Sequence, residues 1–137
     1  MSRSEYSREN AEIHRGHVNC KSKIRDFLFE FHLPLGILPL ESIEEFGFER
    51  SSGFMWVIQT KNTCYNFKKI NQQVSFQTEI SGFVDHCRMW NVVGVKTKVF
   101  FMWLGITDLF IDDNHDEITF VTASGLSQTF PINAFDP

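Results

Sequence analysis

The feature that most constrains this chain is a two-residue alternation of apolar and polar side chains, bracketed by two proline-bearing segments. The segments are Leu33-Pro34-Leu35-Gly36-Ile37-Leu38-Pro39 and Phe130-Pro131-Ile132-Asn133-Ala134-Phe135. Between them, Val74, Phe76, Thr78 and Ile80 alternate with Ser75, Gln77 and Glu79. A helix repeats every 3.6 residues and cannot keep such a set on one side, whereas a strand does so at every second residue. The alternation therefore specifies an antiparallel sheet with one face on a core and the other in water.

Further strands follow the same rule. Ile118 and Phe120, then Leu126 and Phe130, mark two short strands separated by a hairpin turn at Ala123-Ser124-Gly125. The stretch from Val95 to Ile111 exceeds one ordinary strand, and Gly105 in its middle reads as a bulge or bend. Within it Val99 to Leu104 is apolar on both faces, which predicts a central strand covered on both sides, in a closed barrel or a two-layer sandwich. The fold class is thus all-β, a single antiparallel barrel-like or sandwich-like domain.

One helix precedes the strands. Ile24, Phe27, Leu28 and Phe31 fall at helical spacing after Ser22, a suitable N-cap, and Pro34 ends the run by disfavouring the α region before it. Leu40 to Glu45 reads as one more helical turn with Ile43 inward. Residues 1–20 are polar and without period, so the expectation is a disordered tail, with the folded domain over 21–137.

Composition enters where partners are concerned. Fifteen Phe supply core area that needs no hydrogen-bond partner, enough for one domain at this length. Residues 33–137 hold seven Lys/Arg against twelve Asp/Glu, which disfavours a nucleic-acid partner, since phosphate binding rests on clustered positive charge. No apolar run reaches the ~20 residues of a membrane-spanning helix. The opening Met1 to Asn10 lacks the apolar core of a secretory signal, so the expected location is cytoplasmic. Three cysteines, Cys20, Cys64 and Cys87, cannot all pair within one chain and are expected as thiols.

Few residues group in ways that carry chemistry. Asp85-His86-Cys87 places a base beside a nucleophile in sequence, but neighbours on an extended chain point apart, so it reads as a turn with a half-buried cysteine. His14, His17 and Cys20 have helical spacing without a fourth metal ligand. Asp112-Asp113-Asn114-His115-Asp116-Glu117 resembles the start of a calcium loop but has Glu117 where the loop needs glycine and Ala123 where it needs glutamate; a solvated turn is expected. There is no Gly-rich phosphate loop and no Gly-x-Ser-x-Gly elbow.

Taken together, Leu33 to Pro39, Gly53 opening a strand, Cys64, Ile80-Ser81-Gly82, Gly94-Val95-Lys96-Thr97-Lys98 leading to Trp103, and Phe130-Pro131 with Phe135 resemble the plant family grouped as domain of unknown function 538. The resemblance spans about residues 26 to 135. It implies a barrel-like β fold preceded by a helix, in a family without an established activity, likened to lipid-binding domains of the bactericidal permeability-increasing type and proposed to act as a chlorophyll esterase. Many members end in a second cysteine after the Phe-Pro segment, the implied partner of the one that Cys64 matches; this chain stops at Phe135-Asp136-Pro137. At Val84-Asp85-His86-Cys87 the family has a small-residue turn with glycine, so a positive φ here would strain the chain.

Three functions are expected in order. The first is a non-catalytic, monomeric binding module for a small apolar or amphipathic ligand such as a lipid or pigment, without metal or cofactor. Lys96 and Lys98 would form a cationic rim, and Phe100, Met102 and Leu104 on the same strand face an oily wall. The second is a protein-interaction domain using Phe54, Trp56 and Ile58, which occupy the face the family keeps polar; the alternative is a second packed surface under the helix. The third is an esterase-like hydrolase with a site assembled from scattered residues.

Overall fold

A computed structural model describes residues 10–137. The chain opens with strand β1 (Glu12–Arg15) and helix α1 (His17–Glu30), followed by β2 (Ile43–Glu49), β3 (Phe54–Gln59), β4 (Thr63–Phe67), β5 (Gln72–Asp85), β6 (Arg88–Val99), β7 (Met102–Ile111), β8 (Glu117–Thr122) and β9 (Ser127–Pro131). A 3-10 turn (Ile132–Phe135) closes the fold. Every pairing is antiparallel, in the order β1-β2-β3-β5-β6-β7-β8-β9, with β4 also on β5. The all-β expectation holds, in sandwich-like form: one open, curled sheet with edges at β1, β4 and β9, not a closed barrel.

Order begins earlier than the polar composition suggests. Of the expected tail, residues 1–9 lie outside the described part, but Glu12 to Arg15 pair with Glu45 to Phe48, and the helix starts at His17 behind Gly16, not at Ser22. Backbone pairing to a strand needs no apolar side chain, which is why composition misses it. Leu40 to Glu45 is likewise no helical turn, since Ile43 already belongs to β2.

Helix α1 buries Cys20, Ile24, Phe27 and Leu28, and the Phe27 ring meets Phe46 and Phe48 of β2 edge-on. It ends before Pro34 is reached. Leu33 N–H donates to Leu28 C=O and His32 N–H to Phe29 C=O, the Schellman pattern, with His32 at φ 58° in the left-handed position that glycine usually fills. From there the chain crosses the concave side of the sheet, and Gly36 N–H donates to Phe135 C=O at 3.0 Å. This crossing and the 3-10 turn cover the core made by Met55, Val57, Phe76, Ile80, Met89, Ile106, Ile118 and Phe120.

Strands β3 and β4 lie end to end along the single long strand β5. At the junction the ladder has a gap, and side-chain amides fill it. Gln59, 2% exposed, donates through Nε2 to Phe76 C=O and Gln77 C=O, while Asn62 Oδ1 accepts from Thr78 N–H.

The stretch from Val95 to Ile111, expected to exceed one ordinary strand, divides between β6 and β7. Val99 pairs with Met102 across a two-residue turn at Phe100-Phe101, whose φ values of 48° and 69° are both left-handed, the mark of a type I′ hairpin. Val99 to Leu104 is therefore a hairpin tip and not a covered central strand. Phenylalanine carries none of the Asn-Gly chemistry that announces such a turn. Gly105 lies within β7, and the irregularity expected there falls just after it, where the ladder to β8 shifts register between Ile106 and Asp108.

Candidate functional site

The hairpin rearranges the residues expected to line one pocket wall. Thr97 pairs with Leu104, Val99 with Met102, and Lys98 with Trp103. Directly opposed residues share a face, so Met102 and Leu104 lie with the inward Thr97 and Val99, while Lys96 and Lys98 lie on the convex face with Trp103. The Lys98 ammonium sits 5.9 Å from the Trp103 ring centroid. Phe100 belongs to neither face; it is at the tip, 87% exposed, beside Phe101 at 92%.

Met102 and Trp103 remain exposed as well, so four consecutive large apolar side chains meet solvent. Sequence reading placed these residues in the interior because a strand apolar on both faces is normally covered. Two positive φ values turned them outward instead.

Phe54, Trp56 and Ile58 do not form an exposed strip. Phe54 and Trp56 are buried and Ile58 is half-buried, on the convex face opposite the helix. Trp56 lies over Gly47, whose Cβ, were there one, would fall 2.1 Å from the indole. Its Nε1–H donates to Glu45 Oε2 at 2.7 Å, and Arg15 pairs with the other oxygen at 3.3 Å. Phe54, Phe83 and Trp90 continue the ring contacts across β3, β5 and β6, with the Arg88 guanidinium 4.6 Å from the Trp90 centroid. The second packed surface is the correct alternative, though on the convex side and not under the helix.

The concave side holds a narrow cavity of about 50 Å3 walled by Met55, Phe76, Ile80, Met89, Val95, Ile106, Phe120 and Phe135. Its polar fringe is Gln72, Thr97 and Gln128. Gln72 is committed, donating at 2.7 Å to Thr97 Oγ1 and to Lys98 C=O. No local spacing reveals this cavity, because its walls come from seven strands, the loop at Ile37 and Leu38, and the C-terminal turn.

The residues with reactive groups are dispersed. Asp85 Oδ1 accepts from His86 N–H, so it orients backbone and not a ring nitrogen. Cys87, at φ 61° in the turn where strain was expected, approaches His115 Nδ1 at 3.9 Å, a contact between distant positions that sequence order hides. Burial pushes the Cys87 thiol up from its ordinary range, the reverse of what activates a nucleophile. The His14 ring stacks on Phe46, His17 Nδ1 accepts from Ile43 N–H, and Cys20 donates to His14 C=O. Asp112 to Glu117 form the solvated β7–β8 turn: Asp112 Oδ1 accepts from Asp116 N–H and Glu117 N–H, and its carboxyl is held below the usual range, chiefly by the Glu117 bond. Among the described residues no group of three or more His, Cys, Asp or Glu is arranged to hold a metal ion. Cys20, Cys64 and Cys87 are all free. No helix among the described residues is long and apolar enough to cross a membrane.

The fold and its surfaces thus define an all-β domain with an apolar concave face and an aromatic hairpin tip. The chain belongs to the family described as protein of unknown function, DUF538, whose model matches residues 24–136. No curated protein and no solved structure matches it.

Proposed function

We propose that this domain is a non-catalytic binding module for a small apolar or amphipathic molecule held on the concave face of the sheet. The observation that carries the reading is the cavity beneath the Leu33–Leu40 crossing, walled almost wholly by apolar side chains. At about 50 Å3 it is well short of the ~300 Å3 of the smallest usual ligand pockets, so binding requires its cover to move. Two features favour that movement. Met55 and Met89 are unbranched and adapt to an incoming chain. The cover consists of a loop and a short 3-10 turn, joined backbone to backbone by Gly36 and Phe135.

A fluorescent fatty acid provides the test. Titration should give a saturable signal, and Ile80→Trp, which fills the cavity from β5, should abolish it while circular dichroism stays that of a β protein. Saturation that survives the filled cavity, or no signal with the unaltered chain, rejects the concave face as the site. Because Lys96 and Lys98 lie on the convex face, Lys96→Ala with Lys98→Ala should leave this titration unchanged.

A further inference from the structure

We propose that the β6–β7 hairpin tip docks the domain on an anionic lipid surface, inserting Phe100, Phe101 and Met102 below the headgroups. This goes beyond the concave-face reading and does not depend on it.

The first argument is exposure without structural need. Phe100 and Phe101 are 87% and 92% exposed, and both occupy left-handed backbone, where asparagine and glycine serve the hairpin better. Their rings therefore contribute nothing to the core and disfavour the turn.

Shape is the second. The last contact from β8 is Ala123 N–H to Gly105 C=O and the last from β5 is Gln72 to Lys98 C=O, so the turn at Phe100-Phe101 stands about two residues past both, roughly 7 Å. A convex apolar point suits the ~5–10 Å depth of the interfacial layer of a bilayer better than the flat or pocketed surface of a folded protein. Trp103, 41% exposed just behind the tip, has the amphipathic ring that settles at headgroup level.

Charge is the third, and it decides the kind of surface. Although the chain is net −4, residues 86–107 and 60–78 contain no carboxylate. Lys96 and Lys98 rise along the hairpin, and Lys68 and Lys69 stand on the adjoining β4–β5 turn. Lys69 donates to Asn133 C=O, and Asp136 lines a groove with Lys68 and Lys69, so the two hairpin lysines are the principal cations. The opposite end of the strands carries Asp85, Asp112, Asp113, Asp116 and Glu117 against Arg88, which lies across from Asp85. Such a charge separation turns the tip toward anionic lipid and the acidic end away from it.

The experiment sediments the protein with vesicles of phosphatidylcholine alone and of phosphatidylcholine with phosphatidylserine, recording Trp emission. Binding is expected to the anionic vesicles, with a blue shift from Trp103 and weakening in salt. Phe100→Asn with Phe101→Gly installs the preferred turn residues, keeps the hairpin folded, and should lower vesicle affinity at least tenfold. Lys96→Ala with Lys98→Ala should weaken anionic binding, and Ile80→Trp should leave it intact, which separates this site from the concave one. No vesicle binding, or binding indifferent to the Asn-Gly replacement, overturns the proposal. So does a dimer in sedimentation velocity that the Asn-Gly variant abolishes without any effect of vesicles, since the tip would then serve a second copy of the chain.

Discussion

Phe100 and Phe101 show how a single pair of residues can set stability against exposure. A non-glycine residue in left-handed backbone costs on the order of 1–3 kcal/mol. Replacing the pair by Asn-Gly should therefore raise the unfolding midpoint in urea, by an amount equivalent to about 1 kcal/mol or more, although two large apolar side chains are lost. An unchanged or lower midpoint would mean that the rings pack on something within the domain. The cysteines offer a second residue-scale check. Cys64 is exposed and should react at once with a thiol reagent, whereas Cys20 and Cys87, buried and with pKa values raised mainly by desolvation, should react only as the protein opens. The linkage has a defined sign: a thiol whose folded pKa is raised contributes its full stability below its ordinary pKa, and loses it as the pH rises through the raised one. Denaturant midpoints measured upward from neutral pH should fall on the alkaline side, and less so for Cys20→Ala with Cys87→Ala relative to its own neutral value.

At the scale of elements, what was legible depended on whether local pattern or remote pairing formed the element. Alternation announced β5, β8 and β9, the hairpin at Ala123-Ser124-Gly125 stands where expected, and the spacing of Ile24, Phe27 and Leu28 announced the helix. Strand β1 was silent because its backbone pairs with β2 while its side chains are mostly polar. The start of β2 is hidden in the stretch Leu40 to Glu45, expected as a helical turn with Ile43 inward, whereas Ile43 pairs with Gln59 and Glu45 is held by Trp56 and Arg15. The junction of β3 and β4 was equally hidden, since nothing in the sequence reveals that Gln59 substitutes for a strand. That substitution yields a prediction. Gln59→Leu keeps the volume but leaves Phe76 C=O and Gln77 C=O without this donor, each loss worth about 1–3 kcal/mol where burial is complete. Equilibrium unfolding should register a loss of at least ~1 kcal/mol, with faster amide exchange centred on Phe76 to Thr78; a neutral result would show that water replaces the amide.

For the whole molecule, the decisive contacts are those that hold the curled sheet against its cover. Phe135 is 3% exposed and its ring meets Phe67 of β4, Phe120 of β8 and Phe130 of β9, centroids 4.8, 5.4 and 6.3 Å away. One side chain thus ties strands from distant parts of the sheet across the concave side, and its backbone C=O also accepts from Gly36. An open sheet has no ladder hydrogen bond to close this gap, so the aromatic contacts stand in for it. The Phe-Pro segment was visible in the sequence as a signpost, yet its role as a clamp was not, because the partners lie up to 68 positions away at Phe67. Phe135→Ala should cost about 3–5 kcal/mol, as large-to-small core replacements of phenylalanine do. If the concave cavity takes ligand by lifting this cover, the same variant should bind an apolar fluorophore faster than the unaltered chain, since the barrier to opening falls. Phe135→Leu, which retains most of the apolar volume, supplies the folded reference should the alanine variant fail to fold. Stopped-flow association rates for the unaltered chain and both variants provide the measurement: rates that rise from Phe to Leu to Ala, or from Phe to Leu alone, support a lifting cover, and rates that do not change with the clamp place the entry elsewhere on the sheet.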